Sequence, residues 1–292
     1  NNLVTPYAPK AAYQKNSTGS GTQEEMLQSL ELPEQAYIEF KSHCDAINLD
    51  FICTAFDATS LNNILKLKPV CIKWPSGEIN NSLLMRSLKN TSLPIILSTG
   101  MSDLGEIETA YNDLKNQGIK QIALLQCVSN YPALIEDQNL RAIVSLREKF
   151  KCPTGFSDHT LGPFSAIAAR ALGMAILEKH FTLDTKMPGP DHSASCEPED
   201  FLTLTSALRK IETALGSGEK LINNNEMNVK NVARKSLVFS NDLSRGTKIR
   251  LVDLDAKRPG TGVAPTKYQK FIGRILQVDV RKDEILAESM FK

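Results

Sequence analysis

Two stretches decide the fold: Cys152-Pro153-Thr154-Gly155-Phe156-Ser157-Asp158-His159 and Ala175-Ile176-Leu177-Glu178-Lys179-His180-Phe181-Thr182. Each opens on small or apolar residues, as a buried strand does, and closes on ionisable or hydroxylated side chains that a sealed core would reject. Four earlier runs repeat the pattern. The run 50–56 brings Thr54, 69–75 brings Lys73 with Ser76 and Glu78 just beyond, 94–100 brings Ser98 and Thr99, and 121–129 leads to Ser129, Asn130 and Tyr131. Six strands are therefore predicted, separated by helix-length amphipathic segments around 34–48, 58–67, 80–89, 138–149, 163–173 and 198–215. The segment after the 94–100 run carries the clearest helical signal: Leu104, Ile107, Ala110, Tyr111 and Leu114 share a face, Asp103 caps the start and Gly118 stops it. Strand starts fall about 19 to 31 residues apart, the rhythm of repeated βα units in a parallel sheet. An open doubly wound sheet concentrates its ligand groups at one crevice, whereas a TIM barrel draws them from the C-terminal ends of many strands. Polar groups at six successive strand ends favour the barrel, so the expected class is α/β with a TIM (β/α)8-type barrel.

The chain has 292 residues, 34 Lys plus Arg against 33 Asp plus Glu, and a net charge of +1. Near-neutrality gives no electrostatic basis for holding a nucleic acid or an anionic membrane. At 41% hydrophobic and 23% charged residues the composition is that of a globular protein. No run approaches the roughly 18 apolar residues of a membrane span, and no signal core opens the sequence. A cytoplasmic enzyme is the expectation. Cys44, Cys53, Cys71, Cys127, Cys152 and Cys196 occur singly without a CxxC pair and read as reduced core thiols. No glycine-rich fingerprint follows the first run, so a nucleotide cofactor is not indicated. The chain opens on Asn1, and the segment up to about residue 23 reads as loop.

The barrel domain is expected over 1–215, a linker over 216–234, and a small, mostly β domain over 235–292 with strand-like pieces at 236–239, 247–250, 257–262 and 277–280. His159 and His180 stand at the polar ends of adjacent predicted strands. Convergent imidazoles there would suit Mn, Fe, Co or Zn; the alternative is a pair of hydrogen-bonded structural histidines. Asp191 and His192 sit in a Gly/Pro-rich loop behind the His180 strand, where they would bind a substrate hydroxyl or move a proton, or else only form a turn capped by Asp191. Lys73, Ser76, Ser98 and Ser157 put one cation and three hydroxyls on the same rim, a cradle for phosphate or carboxylate.

The segments Ile72-Lys73-Trp74-Pro75-Ser76-Gly77-Glu78, Leu97-Ser98-Thr99-Gly100-Met101, Gly155-Phe156-Ser157-Asp158-His159, Glu178-Lys179-His180-Phe181-Thr182 and Gly189-Pro190-Asp191-His192-Ser193-Ala194-Ser195 resemble the sialic acid synthases, or N-acetylneuraminate synthases. Ala233-Arg234-Lys235-Ser236 and Lys257-Arg258-Pro259-Gly260 resemble that family's antifreeze-like (SAF) domain. The Gly189–Ser195 loop is closer to the sialic and legionaminic branches than to the pseudaminic one. The resemblance implies condensation of phosphoenolpyruvate with N-acetylmannosamine and water to give a nine-carbon 2-keto sugar acid and phosphate. The alternative is a legionaminic or related nonulosonate synthase. It implies catalytic roles for Lys73, Glu178 and Asp191, and a divalent metal on His159 and His180, Mn2+ foremost with Mg2+ or Co2+ as alternatives. Thr54, Ser76, Glu78, Ser98, Ser129, Tyr131, Ser157 and His192 are implied to bind substrate. Arg258 is implied to reach from the SAF domain into the partner's site of a domain-swapped homodimer.

Two departures accompany the resemblance. Val128 follows Cys127 where the family often places an asparagine, so polar contacts fall to Ser129 or Asn130. The family's opening strand with a catalytic glutamate and Asn-His pair, and its second strand with Lys-Phe-Gln, do not occur in this sequence. The expectation is a barrel lacking its first two βα units. That leaves a reading of another class, an inactive product acting only in binding or dimerisation.

Overall fold

The computed structural model describes residues 3–89 and 91–292. They form two compact units, Asn1–Gly216 and Ser217–Lys292.

In the first unit, β1 (Ile72–Trp74), β2 (Ile95–Ser98), β3 (Ile122–Cys127), β4 (Thr154–Asp158) and β5 (Ile176–Lys179) form one parallel sheet in the order β1-β2-β3-β4-β5. Each strand lies beside its sequence neighbour. A doubly wound sheet would reverse its order, so this is the wall of a TIM-type barrel. The helices are α1 (Ala12–Thr18), α2 (Gln23–Leu30), α3 (Glu34–Ala46), α4 (Ala58–Lys66), α5 (Ser82–Met85), α6 (Leu104–Asn116), α7 (Ala142–Phe150), α8 (Phe164–Ala171) and α9 (Pro198–Leu215). α6 begins where expected: Asp103 accepts from the Gly105 and Glu106 amides while Glu106 returns to the Asp103 amide, a full capping box.

Side chains alternate across a strand, so the register divides the sheet into two faces. Ile72, Trp74, Ile95, Leu97, Ile122 and Leu124 share one face and are buried with Leu61, Ile64, Leu84, Met85, Ile107 and Leu114 of the helices. The other set, Lys73, Ser98, Cys127, Ser157 and Glu178, faces inward. β1 and β5 are four strands apart, about 19 Å in a flat sheet at 4.8 Å per strand, a gap that Lys and Glu side chains cannot span. Yet Lys73 Nζ lies 3.4 Å from Glu178 Oε1, and Ser98 Oγ donates to Glu178 Oε2 at 3.3 Å. The sheet must therefore curl inward as a half-barrel.

Three expectations change. The 50–56 run is no strand: only the bridge Thr54↔Lys73 forms, because among the described residues it has a ladder partner on one side only. The segment before residue 23, expected to be loop, carries α1. Lys10 Nζ ties its end by donating to Thr18 Oγ1 at 3.0 Å and to the Gly19 carbonyl at 3.3 Å. The 216–234 stretch, expected to be a linker, carries α10 (Asn224–Ala233), because Asn223 and Glu226 form a capping box. α10 belongs to the second unit.

That unit pairs β6 (Ser236–Phe239) with β7 (Leu254–Lys257) antiparallel around Leu237, Phe239, Ile249, Phe271, Leu276, Val280, Leu286 and Phe291. The predicted pieces at 247–250 and 277–280 supply only isolated bridges, Lys248↔Ile275 and Leu243↔Val280. No helix among the described residues is long and apolar enough to cross a membrane.

Candidate active site

The parallel strands bring their inward polar residues to the C-terminal end of the half-barrel. Lys73 is 8% exposed, and its ammonium lies against Glu178 and donates to the Trp74 carbonyl at 3.2 Å. Thr54 adjoins it through the Thr54↔Lys73 bridge. Ser76 Oγ accepts the Gly100 amide at 2.9 Å. A side chain on Gly100 would overlap Ser129 Oγ and meet Ser76 Oγ at 2.9 Å and Cys127 Sγ at 3.1 Å. Two hydroxyls and a thiol thus converge on one backbone position, and only a glycine leaves them room. Ser157, nearly fully buried, is the register partner of both Cys127 and Glu178.

Beside this cradle stand the two imidazoles, with ring centres 5.2 Å apart and a 66° angle between planes. His159 Nδ1 is 2.7 Å from the Val128 carbonyl. A carbonyl only accepts, so Nδ1 carries the hydrogen and Nε2 keeps its lone pair. The Val128 backbone carbonyl thus orients this histidine. His180 Nδ1 faces Asp191 Oδ2 at 3.9 Å. Tyr131 contacts both rings, tilted against His159 with ring centres 4.2 Å apart and edge-on to His180 at 5.4 Å.

Burial opposes charge on His159, but Cys127, the Val128 carbonyl and Glu178 together hold its pKa above the ordinary histidine value. His180 goes the other way: burial lowers it, and Asp191 offsets this only in part. Burial would raise the Cys127 thiol, yet His159 and the Ser76 and Ser157 hydroxyls hold it below the usual cysteine value. Burial raises the Tyr131 phenol strongly, with the charges of Cys127, Asp191 and Glu178 adding to it.

The imidazoles fit a divalent ion. For nitrogens each ~2.1 Å from one ion, ring centres about 5 Å apart correspond to adjacent ligand positions, and the Val128 carbonyl supplies the outer hydrogen bond such a ligand needs. Among the described residues no group of three or more His, Cys, Asp or Glu side chains could hold a metal. A divalent ion at this point would have the two imidazoles as its protein ligands among the described residues.

Of the residues expected from sequence, Lys73, Ser76, Ser98, Ser129, Tyr131, Ser157, His159, Glu178, His180 and Asp191 come together. Glu78 is engaged elsewhere: Oε2 accepts from Asn81 at 2.6 Å. His192 Nδ1 shares a 2.7 Å hydrogen bond with Thr182 Oγ1. Arg258 lies in the second unit, directly after β7. Sequence reasoning missed two residues. Cys127 was read as a core thiol, although its place two residues before Ser129 gives it the same strand face. Tyr13 stacks on Tyr131 at 4.9 Å from a segment read as loop, and no periodicity could have placed it there.

Between Asp158 and Lys179, on the outer face of the same strands, lies a buried ion pair of 2.9 Å. Lys179 Nζ also donates to the Thr160 carbonyl at 2.8 Å, and Asp158 Oδ1 accepts from the Thr160 amide and hydroxyl at 2.9 and 2.7 Å. The pair locks β4 to β5 one residue before each imidazole.

A lysine-and-hydroxyl cradle next to paired imidazoles at the strand ends of a curled parallel wall defines a TIM-type barrel protein whose site has the chemistry to take a small anion beside a polar second ligand. Comparison with known proteins narrows this further. The chain belongs to the NeuB family, whose model matches residues 1–220, and it carries a SAF domain over residues 234–292. It is 40% identical to the N,N'-diacetyllegionaminic acid synthase of Legionella pneumophila over 283 residues, 95% of this chain and 80% of that protein. It is 40% identical over 290 residues to the Campylobacter jejuni protein of the same name, covering 98% of this chain and 87% of that one. Among solved structures, the N-acetylneuraminic acid synthetase of Leptospira borgpetersenii, in complex with citrate, superposes with a TM-score of 0.67 at 30% identity, over 74% of this chain and 76% of that one.

Proposed function

We propose that the chain is a nonulosonate synthase that joins phosphoenolpyruvate to an N-acylated six-carbon aldose, with a diacetamido aldose as its acceptor. The carrying observation is the meeting of Lys73, Ser98 and Glu178 across the half-barrel beside the His159–His180 pair. Two relatives at 40% identity bear the name N,N'-diacetyllegionaminic acid synthase, which supports the legionaminic alternative over the N-acetylneuraminate reading. Three of the nine product carbons come from phosphoenolpyruvate, so a doubly acetylated product requires a six-carbon acceptor with two acetamido groups.

Lys73, buried and cationic, neutralises the phosphate or carboxylate of phosphoenolpyruvate. The hydroxyls of Ser76, Ser98, Ser129 and Ser157 donate to the remaining anionic oxygens. His159 and His180 would hold the divalent ion, which supplies Lewis-acid polarisation of the acceptor carbonyl. C3 of phosphoenolpyruvate forms the new bond to the acceptor C1, whose oxygen takes up a proton. Water adds at the cationic C2 and loses a proton; phosphate then leaves with the C2–O bond electrons and takes the remaining hydroxyl proton as the C2 carbonyl forms. Glu178, 38% exposed at its side chain between Lys73 and Ser98, is the base within reach of both substrates for the proton lost by that water. Asp191, beside His180, orients the acceptor hydroxyls. Rigid strand ends keep two substrates and a water in register, so that the reaction proceeds as an effectively unimolecular one.

The test is phosphate release from phosphoenolpyruvate with Mn2+ and either the diacetamido aldose or N-acetylmannosamine, together with Mn2+ titration of the wild type and His180→Ala. The expected results are a higher kcat/KM for the diacetamido aldose and Mn2+ affinity at least ~10-fold weaker in the variant. Phosphate release with neither acceptor refutes the function, and unchanged Mn2+ binding refutes the histidine site.

A further inference from the structure

α1 takes no part in the sheet, yet it delivers an aromatic ring to the site. The Tyr13 ring centre is 4.9 Å from that of Tyr131, tilted by 39°, and Tyr131 continues to His159 at 4.2 Å and His180 at 5.4 Å. Four rings thus run without a break from the N-terminal helix to the imidazoles. The end of the helix is tied: Lys10 is 7% exposed, and its ammonium donates to Thr18 Oγ1 and the Gly19 carbonyl at the far end of α1. Burying an ammonium is expensive unless it is satisfied in this way, so Lys10 closes the 10–19 segment on itself. Burial raises the Tyr13 phenol, and the charge of Asp191 adds to it. Through Tyr131, which contacts His180, Tyr13 stands on the His180 side of the site, while Lys73, Ser76 and Ser98 belong to β1, β2 and the turn after β1.

We propose that Tyr13 and Tyr131 form an aromatic wall against which the acylated face of the sugar acceptor packs, which makes Tyr13 a residue that discriminates between acceptors. This rests on the function proposed above. Sugar C–H faces and acetamido methyl groups are apolar surfaces that aromatic rings cover well, with ring stacking worth a factor of about 10 in affinity. A second acetamido group offers the wall more surface than one does, so loss of the ring penalises the diacetamido aldose more than N-acetylmannosamine. The anionic substrate is held from other strands and does not depend on it.

The experiment compares the wild type, Tyr13→Ala and Tyr13→Phe in full-length chain. Tyr13→Ala is expected to raise KM for the diacetamido aldose about 10-fold and narrow its preference over N-acetylmannosamine. KM for phosphoenolpyruvate should stay within twofold, and Tyr13→Phe should behave as wild type. Hydrogen exchange of the α1 amides with and without the diacetamido aldose gives a readout that needs no turnover: the acceptor should slow exchange in the wild type and leave Tyr13→Ala unaffected. An active wild type with unchanged acceptor KM and selectivity in Tyr13→Ala overturns the wall while leaving the function standing. Absence of turnover with acceptor-dependent protection of α1 overturns the function and leaves the wall. A KM change for both substrates in proportion, with a lowered melting temperature, would mark Tyr13 as merely structural and also overturn the proposal.

Discussion

Replacing Lys179 by methionine leaves the Asp158 carboxylate with no countercharge at a side-chain exposure of 0%. Breaking a buried pair from one side costs about 3–5 kcal/mol. Asp158 keeps the Thr160 amide and hydroxyl on Oδ1, which puts Lys179→Met near 3 kcal/mol. Asp158→Leu is the costlier side, about 4–5 kcal/mol, because it strands both a buried ammonium and the Thr160 donors. The double variant removes both charges and retains only the penalty of unpaired Thr160 groups, about 2–3 kcal/mol. The two substitutions are thus expected to be strongly non-additive, with a coupling of at least ~2 kcal/mol, far beyond the ~0.5 kcal/mol scatter of independent sites. Urea unfolding followed by far-ultraviolet circular dichroism measures all four corners of the cycle. Single variants within about 1 kcal/mol of wild type, or an additive double variant, would refute the view that this pair clamps β4 to β5 behind the imidazoles.

Two further outcomes are expected. Gly100→Ala pushes Ser129, Ser76 and Cys127 away from the cradle. It should destabilise the chain by about 1–3 kcal/mol and raise KM for phosphoenolpyruvate at least ~10-fold through weakened hydrogen bonds to a charged ligand; an unchanged value in the phosphate-release assay removes the cradle from the site. In the second unit, Arg250 holds the buried Asp253 carboxyl below its usual range. The stability from that depressed pKa is present above about pH 4, the unfolded value, and is lost as pH falls through the lower folded one. Thermal melts from pH 6 to pH 2 should show Asp253→Asn less stable at pH 6 but with a flatter decline in acid; parallel curves contradict the assignment.

The sequence was most legible where period and chemistry coincide. The runs that became β1 to β5 were readable because their outer faces are apolar and their inner faces end in Lys73, Ser98, Ser157, Glu178 and the two histidines. α6 was readable from its Asp103–Glu106 box. α1 was not, because Ala12–Thr18 has neither a polar N-cap nor an apolar stripe, and its end is closed by Lys10 reaching across to Thr18 and Gly19. The Thr22–Glu25 box of α2 and the Asn223–Glu226 box of α10 were present in the sequence, but residues 23–30 were assigned no element and the stretch around the second box was read as linker. The 50–56 run shows the opposite error: apolar composition alone does not make a strand, since a ladder also needs a neighbour.

The sequence by itself determined the parallel βα order, the separation into a large and a small unit, and which residue types end each strand. Periodicity and composition are local properties, and these features are local. Only the tertiary structure decided that Glu178 meets both Lys73 and Ser98, since contact across four strands depends on how far the sheet curls. It alone showed that His159 is oriented by the Val128 carbonyl, that Gly100 must stay bare beneath Ser129 and Ser76, and that Tyr13 closes the aromatic line over the imidazoles. Such contacts join residues far apart in the chain, and twist, register and packing set their distances in ways that no window of sequence contains.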